Sequence, residues 1–446
     1  MLPRFQERLS QSFACRYLHG SDQHEAFRFF HWSQIDSFVY FSHHFVTIPP
    51  VPWITAGHRN GVPVLGTLIT EGNEGFNVCQ QMLSNESLLT RVLDQLEQLM
   101  DFFQFDGWLV NIENQVEHVP QLLTFVHALK QSCNRVKNSS LVIWYDSVVV
   151  DSTTLSGQLR WQNEFNDLNR PFFELCDGIF LNYAWDERQL ANSRQLAERL
   201  HRPNDVYVGV DIFGRGCFGG GGLQTNQALT RIAQHRLSVA LFAPGWVHEC
   251  LAAPGQFTQE QYQFWKHLDL PDRHVPCTLP IRTSFCQGFG QAFFRNGFRV
   301  RTGAWHNLHL QQLQPNHRCG HVHVDDAFEG GGCLHMHNFD QPVIECAVRV
   351  QGRCLVTLMY KRASGGCTEC DGVGSDDSFA AAAHHQPENQ SPLAKLDQVR
   401  KELILVADRS KAHDEDLKIH LDATNSVNIR NIRLVDQTKL SSHQSA

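Results

Sequence analysis

Asn111 and Glu113 stand two residues apart in the stretch 105–114, FDGWLVNIEN. An apolar run of this kind reads as a buried β-strand, and a strand turns successive side chains to opposite faces. Gly107, Leu109, Asn111 and Glu113 then share one face, and Trp108, Val110 and Ile112 share the other. The second face is bulky enough to pack under helices. The first runs from small to polar, as a parallel strand does where it ends in a barrel mouth. The amide and the carboxylate would lie side by side, roughly 6–7 Å apart along the strand. A strand-end Glu is ordinarily solvated or ion-paired. Here it has an amide neighbour and no second carboxylate on its face, and several other strands also end in polar or aromatic groups.

Those groups need a frame to hold them. From Phe38 the pattern repeats as strand, loop and helix. Apolar strands are expected at 38–42, 62–69, 105–114, 141–146, 178–183, 206–211, 239–242 and 283–285. A helix is expected over 86–104, where Leu88, Leu89, Val92, Leu93, Leu96 and Met100 recur at i, i+3 and i+4, with Ser84 or Asn85 as its cap. Another runs through Leu122, Phe125 and Leu129. Near-continuous apolar strands alternating with helices mean a parallel sheet covered on both sides. Eight such units fit a (β/α)8 TIM barrel. No Gly-x-Gly-x-x-Gly loop follows an early strand, which counts against an open nucleotide-binding sheet.

After Gly297 the texture changes to short alternating segments with Gly-rich turns, such as 320–324 and 343–350, with a further strand at 355–360. A smaller antiparallel β-sandwich-like domain is expected there. The division read from the sequence is an N-terminal segment 1–24, a catalytic barrel 25–297, a β domain 298–362 with 397–446, and a polar linker 363–396. The last fifty residues offer one clear apolar run, 403–406.

The 446 residues carry a net charge of −8 and no basic block, which argues against nucleic acid or an anionic membrane as partner. No apolar run reaches the roughly 18 residues of a membrane span. Arg4, Arg8 and Arg16 near the N-terminus come without an apolar core, so no secretory signal is expected. The 14 Cys are scattered singly and suit a reducing compartment, the cytosol. His321-x-His323, His335-x-His337 and Cys367-x-x-Cys370 have spacings that zinc ligands use, but the Cys pair lacks a partner pair, so no metal or other cofactor is expected.

The strand ends of a parallel barrel gather Asn111, Glu113, Tyr145, Asp146, Asn182, Trp185, Asp211, Arg215 and Trp246, with Trp161 on the loop after the fourth strand. Rings with scattered amides and carboxylates suit sugars, whose C–H faces stack on aromatics while their hydroxyl rims take hydrogen bonds. Trp161, Asn182, Trp185, Asp211 and Trp246 are the candidate binding residues. A retaining glycosidase ordinarily uses two carboxylates, and a neutral Asn cannot be the nucleophile. The 2-acetamido oxygen of an N-acetylglucosamine residue could attack its own anomeric carbon instead, giving an oxazoline-type intermediate. Asn111 would then polarise the acetamido N–H, Tyr145 would aim its carbonyl oxygen, and Glu113 would act as acid and then base, with a pKa raised by burial.

Residues 105–114, 142–148 (VIWYDSV), 161–163 (WQN), 178–185 (GIFLNYAW), 206–216 (VYVGVDIFGRG), 242–249 (FAPGWVHE) and 283–290 together resemble glycoside hydrolase family 85. The resemblance covers roughly 25–360. It implies hydrolysis of the β-1,4 bond in the N,N'-diacetylchitobiose core of N-glycans, on glycoproteins, glycopeptides and free oligosaccharides, through the family's acid/base at Glu113, its acetamide-orienting residue at Asn111 and its acetamide-contacting tyrosine at Tyr145. The sequence departs from it at Gly72, where relatives often carry Trp, and beyond Tyr360. A non-catalytic, lectin-like barrel is the alternative; it would keep the rings and lose the acid.

Overall fold

The computed structural model describes residues 20–22, 26–150, 157–253, 255–273, 275–276, 280–316, 318–336, 343–347, 354–362, 401–407, 416–419 and 427–436, with backbone alone at 275–276 and from 345 onward. The expected linker 363–396, with Cys367 and Cys370, lies outside these residues. The chain forms two compact units: residues 1–16, 37–54 and 63–270 make the first, and 17–36, 55–62 and 271–446 the second.

The first unit carries strands β1 (Phe38–Val39), β2 (Val46–Thr47), β3 (Val64–Glu71), β4 (Gly107–Glu113), β5 (Leu141–Tyr145), β6 (Val148–Val150), β7 (Gly157–Leu159), β8 (Gly178–Leu181), β9 (Val206–Asp211) and β10 (Ser238–Phe242). One sheet runs in the order β1-β3-β4-β5-β8-β9-β10, with every neighbour pair parallel and β2 antiparallel to β3. Laid flat, seven strands at about 4.8 Å spacing would hold the two edges about 29 Å apart. Instead the rings of Phe41, just after β1, and Phe242, at the end of β10, meet at 5.4 Å. The sheet therefore curls until its edges approach, although no ladder joins β10 to β1 among the described residues.

The seven parallel strands stand where the sequence patterning expects them. The eighth does not. Of its residues only Thr283 is in a strand, the last residue of β12 (Ile281–Thr283) in the second unit, and Phe285 turns into the left-handed region (φ 61°), where a strand cannot continue. Helix Glu86–Phe103 is present, capped by Asn85, whose side chain accepts from Leu88 N at 3.1 Å. Two further helices precede it. Val51–Arg59 accepts Pro52 in its first turn, where no N–H is needed, and Gly72–Leu83 follows β3 directly.

Two aromatic layers make the outer core. Trp108 packs edge-on against Phe105 (4.9 Å between centroids), and Trp144 stacks on Phe172 at 4.0 Å, all four fully buried. The N-terminal ends of the strands are stapled by carboxylates. Asp106 accepts from Val64 N at 2.7 Å and pairs with Lys137, while Asp177 accepts from Val142 N at 2.7 Å and pairs with Lys130 at 2.6 Å. Gly107 opens β4 at φ 140°, and a Cβ there would stand 1.8 Å from Leu141 O, so only glycine lets β4 and β5 come together.

The second unit holds β11 (Val275–Pro276), β12, β13 (Phe289–Arg295), β14 (Phe298–His306), β15 (Gly320–His323), β16 (Cys333–Met336), β17 (Ile344–Ala347), β18 (Cys354–Arg362), β19 (Lys401–Ala407), β20 (Asp416–Ile419) and β21 (Val427–Asp436). Six of these form a sheet in the order β15-β16-β21-β18-β19 with β12 on β21, all antiparallel. β13 and β14 form a hairpin, and β17 joins β11 and β20 in a three-stranded sheet. β21 pairs with three strands, although VNIRNIRLVD shows no continuous apolar run; its apolar residues only recur between polar ones.

Candidate active site

The opposite, C-terminal ends of the parallel strands carry the polar groups. β4 is buried up to its last residue, where Glu113 is half-buried. Asn111, on the same face, is 4% exposed; its Oδ1 is buried and has no hydrogen-bond partner among the described residues. Desolvation raises the Glu113 carboxyl above its ordinary pKa, and the hydrogen bond from the Asn111 side chain acts against this. The Asn111 amide thus directs its N–H side toward Glu113 and leaves its oxygen open.

The neighbouring strand adds a carboxylate that strand periodicity alone does not reveal. Glu71 ends β3 as Glu113 ends β4, and the two are register partners. The Glu71 charge raises the Glu113 pKa further, while His43 lowers it. His43 Nδ1 lies 3.1 Å from Glu71 Oε1. The absence of a second carboxylate expected for this face therefore holds only within β4. The signal was the shared way in which the two strands end.

Tyr145 ends β5, 5% exposed, and its hydroxyl donates to Asn182 Oδ1 at 2.9 Å. Asn182, just past β8, in turn donates Nδ2 to Asn163 Oδ1 at 2.7 Å, an oxygen that also takes Ala184 N at 3.1 Å. Burial, foremost, and then the charge of Glu113 push the Tyr145 phenol far up, so it stays protonated. Tyr183, which sequence reasoning passed over, has its ring 6.5 Å from that of Tyr145, and burial, foremost, raises its phenol. Its ring lies 5.6 Å from that of Phe242 and 5.9 Å from that of Phe180, which lies 5.3 Å from Tyr145. Asn182 was expected to bind substrate; its side chain is occupied within the protein.

The remaining candidates divide by exposure. Trp161 follows the β6–β7 hairpin with 42% of its surface open. Trp246 is half-buried, 6.0 Å from the Phe264 ring. Trp185 was expected as a sugar platform; its ring is buried. It is 4% exposed, stacks on Phe218 at 5.4 Å and donates Nε1 to Gly209 O at 2.8 Å, so it wedges the core. Asp211 is 1% exposed and holds its own loop, pairing with Arg215 Nε at 2.7 Å and accepting from Phe213 N at 3.1 Å. A buried carboxylate so occupied has little left for a sugar hydroxyl.

Among the described residues no three His, Cys, Asp or Glu side chains gather as metal ligands. His321 and His335 face each other across β15 and β16, ring centroids 5.1 Å apart. Cys79, Cys133, Cys176, Cys217, Cys286, Cys319 and Cys333 are buried free thiols. No described helix is long and apolar enough to cross a membrane.

A curled parallel sheet bearing an amide–carboxyl pair and a tyrosine at its C-terminal strand ends defines an α/β protein with a half-barrel sheet. More particularly, the chain belongs to glycosyl hydrolase family 85, whose sequence profile matches residues 9–293. It is similar to the cytosolic endo-beta-N-acetylglucosaminidase of Homo sapiens, with 44% identity over 371 residues, 78% of this chain and 49% of that protein. It is similar to the Gallus gallus protein of the same name (44% over 337 residues, 73% and 45%) and to cytosolic endo-beta-N-acetylglucosaminidase 2 of Arabidopsis thaliana (42% over 305 residues, 67% and 42%). The chain spans about half the length of the curated relatives it matches. In fold it resembles the glycoside hydrolase domain of Endo-D from Streptococcus pneumoniae R6, with a TM-score of 0.65 at 17% identity, covering 94% of this chain and 73% of that one.

Proposed function

We propose that the chain is an endo-β-N-acetylglucosaminidase acting in the cytosol on the N,N'-diacetylchitobiose core of N-glycans, whether on glycoproteins, glycopeptides or free oligosaccharides. Membership of the family and the names of its relatives support the activity and the compartment. The mechanism is retaining and substrate-assisted. The acetamido oxygen attacks the anomeric carbon, the glycosidic oxygen leaves with the Glu113 proton, and a cyclic oxazoline-type intermediate forms. Water then opens it, giving a proton back to Glu113.

One observation carries this reading: a buried, unpartnered Asn111 Oδ1 beside a carboxyl whose environment favours the protonated form. An acceptor left open in a buried site suits an N–H donor, and the acetamido N–H becomes a stronger donor as positive charge develops on the ring. Tyr145 aims the acetamido oxygen. Trp161 and Trp246 supply stacking surface for sugars. A full eight-stranded barrel under this site is favoured by the approach of Phe41 to Phe242, and a sandwich by the antiparallel sheets of the second unit.

The test is to incubate the chain with a high-mannose glycopeptide and weigh the products. Peptide retaining one N-acetylglucosamine is the expected product. Binding without release would leave a glycan-binding barrel instead.

A further inference from the structure

We infer that Asp146 and Asn163 are positioning residues that fix the Tyr145 hydroxyl through Asn182; the inference rests on the glycan-hydrolysing reading above. The chain of hydrogen bonds has one direction, set by the backbone. The Ala184 N–H can only donate, so Asn163 must turn Oδ1 toward it (3.1 Å). The same oxygen takes Asn182 Nδ2 at 2.7 Å. Asn182 then has only its Oδ1 to offer Tyr145, whose hydroxyl donates to it at 2.9 Å. The orientation of both amides, and the resting direction of the Tyr145 proton, follow from one peptide N–H.

Asn163 in turn depends on Asp146. Its backbone sits in the left-handed region, φ 57°, which Asn tolerates better than most residues. The turn is pinned because Gln162 N and Asn163 N both donate to Asp146 Oδ2, at 3.0 and 2.8 Å, while Asn169 Nδ2 donates to Oδ1 at 3.1 Å. The backbone of Asn182 adds a further hydrogen bond to the same carboxylate. Asp146 is fully buried, so it acts on both loops and not on a sugar. When the substrate arrives, its acetamido oxygen accepts the Tyr145 hydroxyl by rotation of that O–H away from Asn182.

A double-mutant cycle tests this. Asn163→Gly keeps the positive φ and deletes the side chain; Asn163→Asp keeps the acceptor oxygen. Tyr145→Phe is the second arm, and melting temperatures near that of the wild type establish that all variants fold. The expected result is a kcat about 10-fold lower for Asn163→Gly with KM changed less than about 2-fold, largely restored in Asn163→Asp. In the Tyr145→Phe background, Asn163→Gly should cost less than about 2-fold more. Losses that multiply in full would overturn the positioning role while leaving the glycosidase reading intact. The same cycle is read without turnover by calorimetric binding of an N-acetylglucosamine-derived thiazoline, a stable mimic of the cyclic intermediate. A wild-type chain silent in both turnover and binding would remove the functional reading, and the positioning role with it.

Discussion

Glu71 and Glu113 end adjacent parallel strands in register, so two carboxylates stand side by side at the mouth of the curled sheet. The Glu71 charge disfavours ionisation of Glu113. Burial raises Glu113 first, the Glu71 charge adds to it, and His43, bonded to Glu71 at 3.1 Å, partly offsets it. The arrangement suits an acid that must keep its proton near neutral pH.

The pH profile should report this neighbour. Glu113 must be protonated to act as the acid, so kcat/KM falls as pH rises through its pKa. Glu71→Gln removes the charge that raises it, and the basic limb should move to lower pH. His43→Phe removes the charge that lowers it, and the limb should move to higher pH. Limbs that stay in place in both variants would show that the pair does not tune Glu113.

Glu113 should also cost stability. Its folded pKa lies above the unfolded value, so folding is penalised once the pH exceeds the ordinary carboxylate range. Glu113→Gln should therefore melt higher than wild type at neutral pH, with the gap closing as pH falls below that range, while glycan release drops about 10³-fold. A variant that melts lower at neutral pH, or keeps full activity, would contradict the assignment.

Trp161 and Trp185 should separate by readout. Trp185→Ala leaves a cavity against Phe218 and removes the bond to Gly209 O, and should cost about 3–5 kcal/mol of stability by denaturant unfolding. Trp161→Ala should change stability by less than about 0.5 kcal/mol and raise KM up to about 10-fold through lost stacking. The reverse pattern would exchange their roles.

Gly107→Ala should be among the most damaging changes in the frame. Its φ of 140° and the 1.8 Å approach of a Cβ to Leu141 O together should cost more than about 3 kcal/mol. Native-like unfolding would show that β4 can start without that close approach.

The seven parallel strands were legible because buried parallel strands read as apolar runs. The pair Asn111 and Glu113 was legible because strand periodicity puts i and i+2 on one face. Glu71 was not seen beside Glu113, because register between strands is a tertiary fact. The internal partners of Trp185 and Asp211, Gly209 O and Arg215, were not legible because a strand-end residue type does not reveal its direction. The 283–285 run looked like a barrel strand by composition, yet a left-handed Phe285 ends it. β21 escaped notice because its sequence offers no long apolar run, although it pairs with three strands.

The central claim is that the substrate supplies the nucleophile and Asn111 only helps it form. The most direct measurement compares Asn111→Ala on two substrates, a high-mannose glycopeptide and the matching preformed sugar oxazoline. The expected result is glycopeptide release reduced more than about 100-fold while oxazoline turnover persists at a far larger fraction of wild type. Equal loss on both substrates would contradict it.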